Sequence, residues 1–194
     1  MPDPRRAFES AGAFLGGHFV YTSGRHGADY LEKFRILENP SATSALCAMI
    51  AERFRLLRPQ LVAGPTTGGV ILAYEVARQL GLNAVYAERG EAGGRTLRRS
   101  FEVEPKTRVL VVDDVVTTGG SLREMVTCMQ DAGGEVIGIG VLADRTGGQV
   151  ATEVPFFACL TLDFPSYAPA DCPLCQAGIP VAAPRGSGKL PMSA

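Results

Sequence analysis

The chain has 194 residues, of which 46% are hydrophobic, and it carries a formal net charge of −1. This length fits one domain with a substantial core, and the lack of a basic excess argues against binding along a nucleic-acid backbone, so any anion must be held by a local site. No window approaches 18 consecutive apolar residues. Glu9, Ser10 and the Gly16-Gly17 pair interrupt the apolar N-terminal stretch, which argues against a signal peptide and for a cytoplasmic protein.

Apolar periodicity predicts helices that alternate with short strands. Residues 5–16 have a helical pattern, and residues 18–37 have the alternation and turn residues of a hairpin. Further helices are predicted over 41–57, 68–81 and 121–134. Strands are predicted over 60–65, 83–88, 108–114, 136–145 and 156–164. The polar, glycine-rich and basic stretch 90–100 is predicted to be a mobile loop.

This alternation predicts an α/β fold built from βαβ units, with a parallel sheet and helices on both faces. Residues 1–40 are predicted to form an N-terminal helix and a small hood over one end of the sheet, and residues 41–175 the core. Residues 176–194 are predicted to be a partly disordered tail, because proline, glycine, alanine and serine dominate the end of the chain.

Two carboxylates end the most apolar predicted strand, in the stretch VLVVDDVVTTGGS at 109–121. Ligands of open α/β sheets bind beyond the carboxyl ends of the strands, where Asp113 and Asp114 would lie. The helix predicted to begin at Ser121, with a capping box, offers free backbone N–H groups to an anion, and the preceding glycines permit its close approach. A bare pair of aspartates more often only caps a strand. The whole stretch, however, suits a ligand that carries both sugar hydroxyls and a phosphate.

This stretch resembles the phosphoribosyl pyrophosphate (PRPP) loop of the type I phosphoribosyltransferases. Three other segments, in the same order, resemble the orotate enzymes of that family. YTSGRHGADYLEKFRIL (21–37) is similar to their N-terminal segment, AGPTTGGVILA (63–73) to their pyrophosphate loop, and VLADRTGG (141–148) to the segment whose arginine meets orotate. The resemblance implies a Rossmann-like type I phosphoribosyltransferase core.

The resemblance also implies an activity: transfer of ribose 5-phosphate from PRPP to orotate, giving orotidine 5′-monophosphate and pyrophosphate in pyrimidine biosynthesis. Such a reaction passes through an oxocarbenium-like state and requires a neutralised leaving group rather than a protein nucleophile. Mg²⁺ is the implied cofactor, bound through PRPP and not through protein side chains. A homodimer is the implied assembly, with no nucleic acid or membrane partner.

Residue roles follow from the same resemblance. Asp113 and Asp114 would hold the ribose hydroxyls, and together with Arg89 they are the expected catalytic residues. The expected PRPP site comprises Asp113, Asp114, Val115, Val116, Thr117, Thr118, Gly119, Gly120, Ser121, Arg89 and Arg95. The expected pyrophosphate loop comprises Thr66, Thr67 and Gly68. The expected orotate contacts are Thr117, Arg145 and Arg25.

Arg145 suits a carboxylate-bearing base, because arginine can donate two hydrogen bonds to a carboxylate. The alternative for Arg145 is a surface ion pair with Asp144. His26 and Tyr30 lie in the segment that faces the base, but a lone histidine is more often structural or solvated. Lys33 is predicted to be a surface charge.

One segment departs from the family pattern. The family's mobile loop carries a lysine and a histidine, whereas YAERGEAGGRTLRRSFEV (86–103) is shorter and has neither. Arg89 stands at a basic position of the motif, and Arg95, Arg98 and Arg99 keep the loop basic. Arginine cannot serve as an acid near neutral pH. Either charge stabilisation alone suffices or the enzyme is slower or diverged, and a solvated charge face is the plain alternative.

Two other functions stay open from the sequence: a purine-base phosphoribosyltransferase, and a PRPP-sensing regulator without catalysis.

The cysteines raise the question of a metal or redox site. Cys47, Cys128 and Cys159 lie in apolar patterns, whereas Cys172 and Cys175 form a C-x-x-C pair. That pair could be half of a zinc site or a redox pair. With no second pair nearby in sequence, zinc would need a second chain, and a local structural turn is favoured.

Overall fold

The computed structural model describes residues 3–91 and 93–182. The N-terminal part contains α1 (Pro4–Ser10), β1 (Phe14–Val20), β2 (His26–Leu31) and α2 (Phe34–Leu37). The central part contains α3 (Pro40–Arg55), β3 (Leu61–Pro65), α4 (Gly68–Leu80), β4 (Asn83–Arg89), β5 (Arg95–Leu97), β6 (Arg108–Val116), α5 (Gly120–Asp131), β7 (Glu135–Asp144) and β8 (Phe156–Thr161). A 3-10 turn (Pro169–Asp171) and α6 (Pro173–Gln176) follow.

The main sheet has the order β5-β4-β3-β6-β7-β8, and all of its pairings are parallel except that of β5 with β4. Its central strands β3 and β6 are almost wholly buried, as expected for strands covered on both faces. The strands β1 and β2 form a separate antiparallel hairpin. The predicted α/β fold with a parallel sheet is confirmed.

Apolar side chains cover both faces of this sheet. On one face, Ile50 of α3 and Leu72 of α4 join a buried cluster with Leu110 of β6. On the other face, Met125 and Met129 of α5 lie in a second cluster with β6 and β7. Each helix therefore stabilises the sheet through its own apolar stripe, which is the pattern read from the sequence.

Three local predictions were wrong. The helix predicted over 5–16 ends at Ser10, because Gly12 has a positive φ of 65° and the chain then enters β1. The predicted loop 90–100 contains β5, which pairs with β4. The capping box is absent: Gly119 is the N-cap of α5, so Ser121 already lies in the first helical turn.

The predicted domain limits stay predictions. Residues of the expected hood, including Phe8 and Ile36, belong to the same apolar cluster as α3. The predicted disorder falls mainly on 183–194, which lie outside the described residues. Of the expected tail, residues 176–182 are described, and the N–H of Ala182 donates to the carbonyl of His18 at 2.7 Å. Within the described part of the chain, no helix has the length and apolarity needed to cross a membrane.

Candidate functional site

The sheet changes direction between β3 and β6. From β3 the chain proceeds to β4 on one side, and from β6 it proceeds to β7 on the other. Loops that leave the carboxyl ends of two such strands diverge and open a crevice between them, which is where α/β sheets bind ligands. The loop after β3 contains Thr66 and Thr67, and the loop after β6 contains 117–119. Both predicted phosphate loops therefore lie at one edge of the sheet.

The acidic pair at the end of β6 is buried. Asp113 is 6% exposed and Asp114 is 3% exposed. Lys33 approaches from the segment between β2 and α2, with its Nζ 2.8 Å from Oδ2 and 2.9 Å from Oδ1 of Asp114. The prediction that Lys33 is a plain surface charge was therefore wrong, because it neutralises one of the two buried carboxylates.

Burial, reinforced by the neighbouring charge of Asp114, raises the pKa of Asp113 to about 7. The Lys33 ammonium and the Ser121 hydroxyl act in the opposite direction on this pKa. The pair thus combines one carboxylate bound to a cation with one that exchanges its proton near neutral pH. Carboxylates held in this way can accept hydrogen bonds from the hydroxyls of a sugar.

Two helix N-termini face the same crevice. The N-cap of α5 is Gly119, with φ 74°, and the N-cap of α4 is Thr67; neither forms a side-chain capping hydrogen bond. A left-handed φ of this kind favours glycine, which explains the residue type at 119. The first N–H groups of both helices are consequently left for an anion, which the helix dipoles also favour.

Gly68 holds the two loops close together. A β-carbon at Gly68 would overlap the carboxylate of Asp114. Only glycine lets the start of α4 approach the acidic pair in this way. The predicted pyrophosphate loop and the predicted ribose site are thus in direct contact.

Arg95 bridges the two loops. Its Nη1 donates to the carbonyl oxygen of Thr66 at 3.1 Å and to the Thr66 hydroxyl at 3.2 Å, while its Nη2 donates to the Ser121 hydroxyl at 3.1 Å. Its Nε also lies 3.5 Å from a carboxylate oxygen of Glu124. The side chain is only 11% exposed. Arg95 therefore supplies a fixed positive charge between the two phosphate loops.

The other arginines of this segment point elsewhere. Arg98 lies 3.5 Å from Glu91, and Arg99 lies 3.2 Å from Glu88. Arg89 is at the exposed end of β4, opposite Arg95 in the strand pairing. For Arg98 and Arg99, the interpretation as a solvated charge face fits the structure.

Arg145 is held between two aromatic rings. Its guanidinium carbon is 4.9 Å from the ring centre of Tyr21 and 5.0 Å from that of Phe164. Its Nε is buried and has no hydrogen-bond partner among the described residues. Asp144 does not take that place: its two carboxylate oxygens accept the N–H groups of Thr146 and Gly148. A stacked cation with a free donor suits a planar anion.

Arg25, a predicted orotate contact, reaches the segment after β8. Its side chain is exposed, and its guanidinium donates to the hydroxyl of Ser166 at 2.9 Å and to the carbonyl of the same residue. Tyr30 packs against Phe19 within the hairpin, with 5.3 Å between ring centres. Arg25 thus ties the hairpin to the segment after β8, and its role toward a base stays a prediction.

A groove of about 350 Å³ adjoins the loop after β6. Its lining includes Thr117, Thr118, Gly119 and Arg123. Arg123 donates to the carbonyl of Thr118 at 3.1 Å, so its charge lies beside the start of α5. Sequence reasoning missed this residue, although its place one turn into the helix after the PRPP loop is a usable signal. Val115 and Val116, by contrast, are still within β6.

The C-x-x-C pair has two histidine neighbours that the sequence did not reveal. His18 and His26 lie beside Cys172 and Cys175, with the potential ligand atoms of all four residues within 4.8 Å of one another. Cys172 follows His18 by 154 residues, so only the fold brings them together. The expectation that a second chain would be needed to complete a four-residue cluster was wrong.

Comparisons with known proteins identify the family. Residues 35–171 match the model of the phosphoribosyl transferase domain family. The chain is 49% identical to an orotate phosphoribosyltransferase of Pelotomaculum thermopropionicum, over 94% of this chain and 95% of that protein. It is 45% identical to one of Desulforamulus reducens, over 91% and 92%. The crystal structure of an Aeropyrum pernix orotate phosphoribosyltransferase is similar, with a TM-score of 0.69 and 31% identity, over 81% of this chain and 92% of that one.

Proposed function

The chain belongs to the orotate phosphoribosyltransferases, and from that premise we propose a role for each part of the crevice. The reaction transfers ribose 5-phosphate from PRPP to orotate, giving orotidine 5′-monophosphate and pyrophosphate. The observation that carries the assignment of roles is the bridge of Arg95 between the loop after β3 and the start of α5. Groups that can donate hydrogen bonds to an anion then lie on both sides of the Asp113-Asp114 pair.

PRPP spans the crevice from the start of α5 to the start of α4. The 5′-phosphate binds the N–H groups at the start of α5, with the hydroxyls of Thr118 and Ser121 and the charge of Arg123 nearby. The ribose hydroxyls donate to Asp113 and Asp114. The pyrophosphate binds at the start of α4, where Thr66, Thr67 and Gly68 form the turn. Arg95 stabilises the negative charge that grows on the leaving pyrophosphate.

Orotate binds at the hairpin side of the crevice. The guanidinium of Arg145 pairs with the carboxylate of the base, while Tyr21 and Phe164 keep its plane in position. The backbone N–H of Arg145 donates to the carbonyl of Val116 at 2.9 Å, and this bond places Arg145 next to Thr117 of the PRPP loop. The base nitrogen and the sugar carbon are thereby brought together without a protein nucleophile.

The acidic pair fits a metal that is held mainly by substrate. Asp114 is already bound to Lys33, and Asp113 is buried beside it, so neither carboxylate is free to form a dedicated metal cage. Mg²⁺ held by PRPP oxygens would supply positive charge to the departing pyrophosphate. Arg95 adds to that charge from the protein side. This division replaces the positive charge, but not the proton donor, of the lysine and histidine that the shortened loop lacks.

We also propose a homodimer that works in the cytoplasm. Tyr74, 67% exposed, and Ile71 lie on α4 as apolar surface that a second copy can cover. All five cysteines belong to the described residues, and all five are free, which is typical of a reducing compartment. Light scattering during gel filtration tests the dimer, and a monomeric mass at working concentrations would contradict it.

The experiment for the activity is orotate consumption followed by absorbance, with PRPP and Mg²⁺ present and with each omitted in turn. The proposal predicts consumption only when all components are present. Intact PRPP binding without orotate consumption would instead favour another base, tested with adenine, guanine, hypoxanthine and xanthine, or a PRPP-sensing regulator, tested by heparin affinity.

A further inference from the structure

We infer that His18, His26, Cys172 and Cys175 form a structural zinc site within one chain. The cluster lies where the β1–β2 hairpin meets the segment around α6, and it takes no part in the reaction described above. Its four side chains are the ligand set of many structural zinc sites, two thiolates and two imidazoles. The inference does not depend on the proposed activity.

The distances suit a single tetrahedral ion. Cys172 Sγ lies 3.7 Å and Cys175 Sγ 3.6 Å from His18 Nε2, while Cys175 Sγ lies 3.3 Å from His26 Nδ1. A tetrahedral ion with Zn–N of about 2.1 Å and Zn–S of about 2.3 Å places nitrogen and sulfur about 3.6 Å apart. The two ring nitrogens are 2.9 Å apart, so they need to separate by about 0.5 Å to reach the corresponding N···N edge of about 3.4 Å. These distances between the ligand atoms leave room for one ion and not for an iron–sulfur cluster.

The hydrogen bond of His18 fixes its ligand nitrogen. His18 Nδ1 lies 2.7 Å from the carbonyl oxygen of Ile179. A carbonyl oxygen can only accept, so Nδ1 carries the hydrogen and the lone pair of Nε2 faces the two sulfurs. This outer hydrogen bond is the arrangement that orients metal-binding histidines in known sites.

Two of the four side chains are buried. His18 is 2% exposed and Cys172 is fully buried, although both are polar or reactive groups. Cys175 is exposed and gives an ion access to the site. Two thiolates balance the double charge of zinc, so the loaded cluster is neutral where it is buried. Zinc rather than Mg²⁺ follows from the sulfur and nitrogen ligands.

The cluster joins parts of the chain that are distant in sequence. His26 also forms a β-bridge with Tyr167, and the C-terminal segment returns to β1 through Ala182. Zinc would therefore fasten the hairpin, which carries Tyr21 of the orotate pocket, to the end of the folded chain. Metal binding of this kind contributes directly to folding stability.

The test measures zinc in the untagged, full-length chain, purified under reducing conditions without chelators from zinc-supplied cells. Elemental analysis should find roughly one zinc ion per chain, as a four-ligand site binds one. The Cys172→Ala/Cys175→Ala double variant should lose it, and the control Cys128→Ala, which removes a buried thiol elsewhere, should keep it. Removal of zinc should lower the melting temperature of the wild-type chain but not that of the double variant.

A spectroscopic test does not depend on the variants folding. The wild-type chain, stripped of metal and reduced, should bind Co²⁺ with visible bands of a tetrahedral site and a thiolate charge-transfer band in the near ultraviolet. Less than about a tenth of a zinc ion per chain together with the absence of these cobalt bands would overturn the inference, since a site of this type binds one ion. Zinc retained in full by the double variant would overturn it too.

Discussion

Lys33 Nζ lies 2.8 Å from Oδ2 of Asp114, and this ion pair connects the N-terminal segment to β6. The carboxylate is nearly buried, whereas the lysine side chain is 38% exposed. Lys33 also holds down the pKa of the adjacent Asp113. Lys33 therefore pairs with one of the two carboxylates proposed to hold the ribose and opposes the effect of burial on the other.

Replacing Lys33 with methionine should weaken both folding and PRPP binding. Loss of the charged hydrogen bond leaves a buried carboxylate unpaired, which should lower the free energy of unfolding by about 1–3 kcal/mol. The pKa of Asp113 should rise further, so PRPP affinity at neutral pH should fall. Urea unfolding and titration calorimetry measure the two effects. Lys106→Met, at an exposed turn before β6, is the control, and equal behaviour of the two variants would show that the ion pair has no such role.

PRPP affinity should depend on pH through Asp113. Because its pKa is raised to about 7, acidification through this value protonates a carboxylate that is proposed to accept hydrogen bonds from the ribose. The Kd for PRPP should therefore rise by up to about tenfold per pH unit below the pKa of Asp113. Asp113→Asn should remove the part of the pH dependence that comes from Asp113. The part that comes from titration of the PRPP phosphates should remain. A wild-type profile identical in shape to that of the variant would exclude Asp113 as the titrating group.

The raised pKa of Asp113 also predicts how the free energy of unfolding changes with pH. Between its ordinary value of 3.8 and about 7, Asp113 binds more protons in the folded than in the unfolded chain. The free energy of unfolding should therefore decrease as pH rises through this window. The comparison with Asp113→Asn, by urea unfolding at several pH values, isolates this contribution. A stability difference between the two proteins that stays constant with pH would contradict it.

Arg145→Leu should affect orotate much more than PRPP. Loss of the stacked donor removes a charged hydrogen bond to the base carboxylate, so KM for orotate should rise roughly 10- to 100-fold. Arg145→Lys should restore only part of this loss, because an ammonium cannot reproduce the planar, two-pronged donor between Tyr21 and Phe164. Steady-state kinetics with each substrate varied separates the two effects, and equal changes for both substrates would count against a base-specific contact.

Gly68→Ala should disrupt PRPP binding through simple overlap. The new methyl group would meet the Asp114 carboxylate, so either the acidic pair or the start of α4 must move. We expect at least about a tenfold loss of PRPP affinity, equivalent to about 1.4 kcal/mol. Gly16→Ala is the matched control, since a β-carbon there meets nothing within 4 Å and the backbone is not left-handed. Calorimetric titration should show normal PRPP binding by the control, and normal binding by both would refute the overlap.

The sequence predicted the features that depend on local pattern. The apolar runs located the central strands, and the residue types of the two phosphate loops placed both at the carboxyl edge of the sheet. Arg145 was assigned to orotate by the family resemblance, with which its chemistry agrees. The structure leaves its Nε buried without a partner among the described residues, and the contact with orotate stays a prediction.

Features that depend on distant contacts were missed. Lys33 and Asp114 are 81 residues apart, and the histidines and cysteines meet only through the return of the C-terminal segment. Arg95 was already expected in the PRPP site, but its bridge between the two loops was not, because that bridge depends on the short β5 pairing, and Arg98 and Arg99 turn to acidic neighbours. Strand pairing at a sheet edge depends on tertiary context more than on propensity.

The most direct test of the account compares Arg95→Met with Arg98→Met in PRPP binding by titration calorimetry. Arg95 bonds Thr66 and Ser121, whereas Arg98 lies by the exposed Glu91, so the variants remove equal charge from the same segment. The account predicts at least about a tenfold loss of affinity for Arg95→Met and a change within about twofold for Arg98→Met, whose exposed ion pair contributes little. Equal losses would mean that the segment acts only through its overall charge, and the bridge between the two phosphate loops would have no special part in binding PRPP.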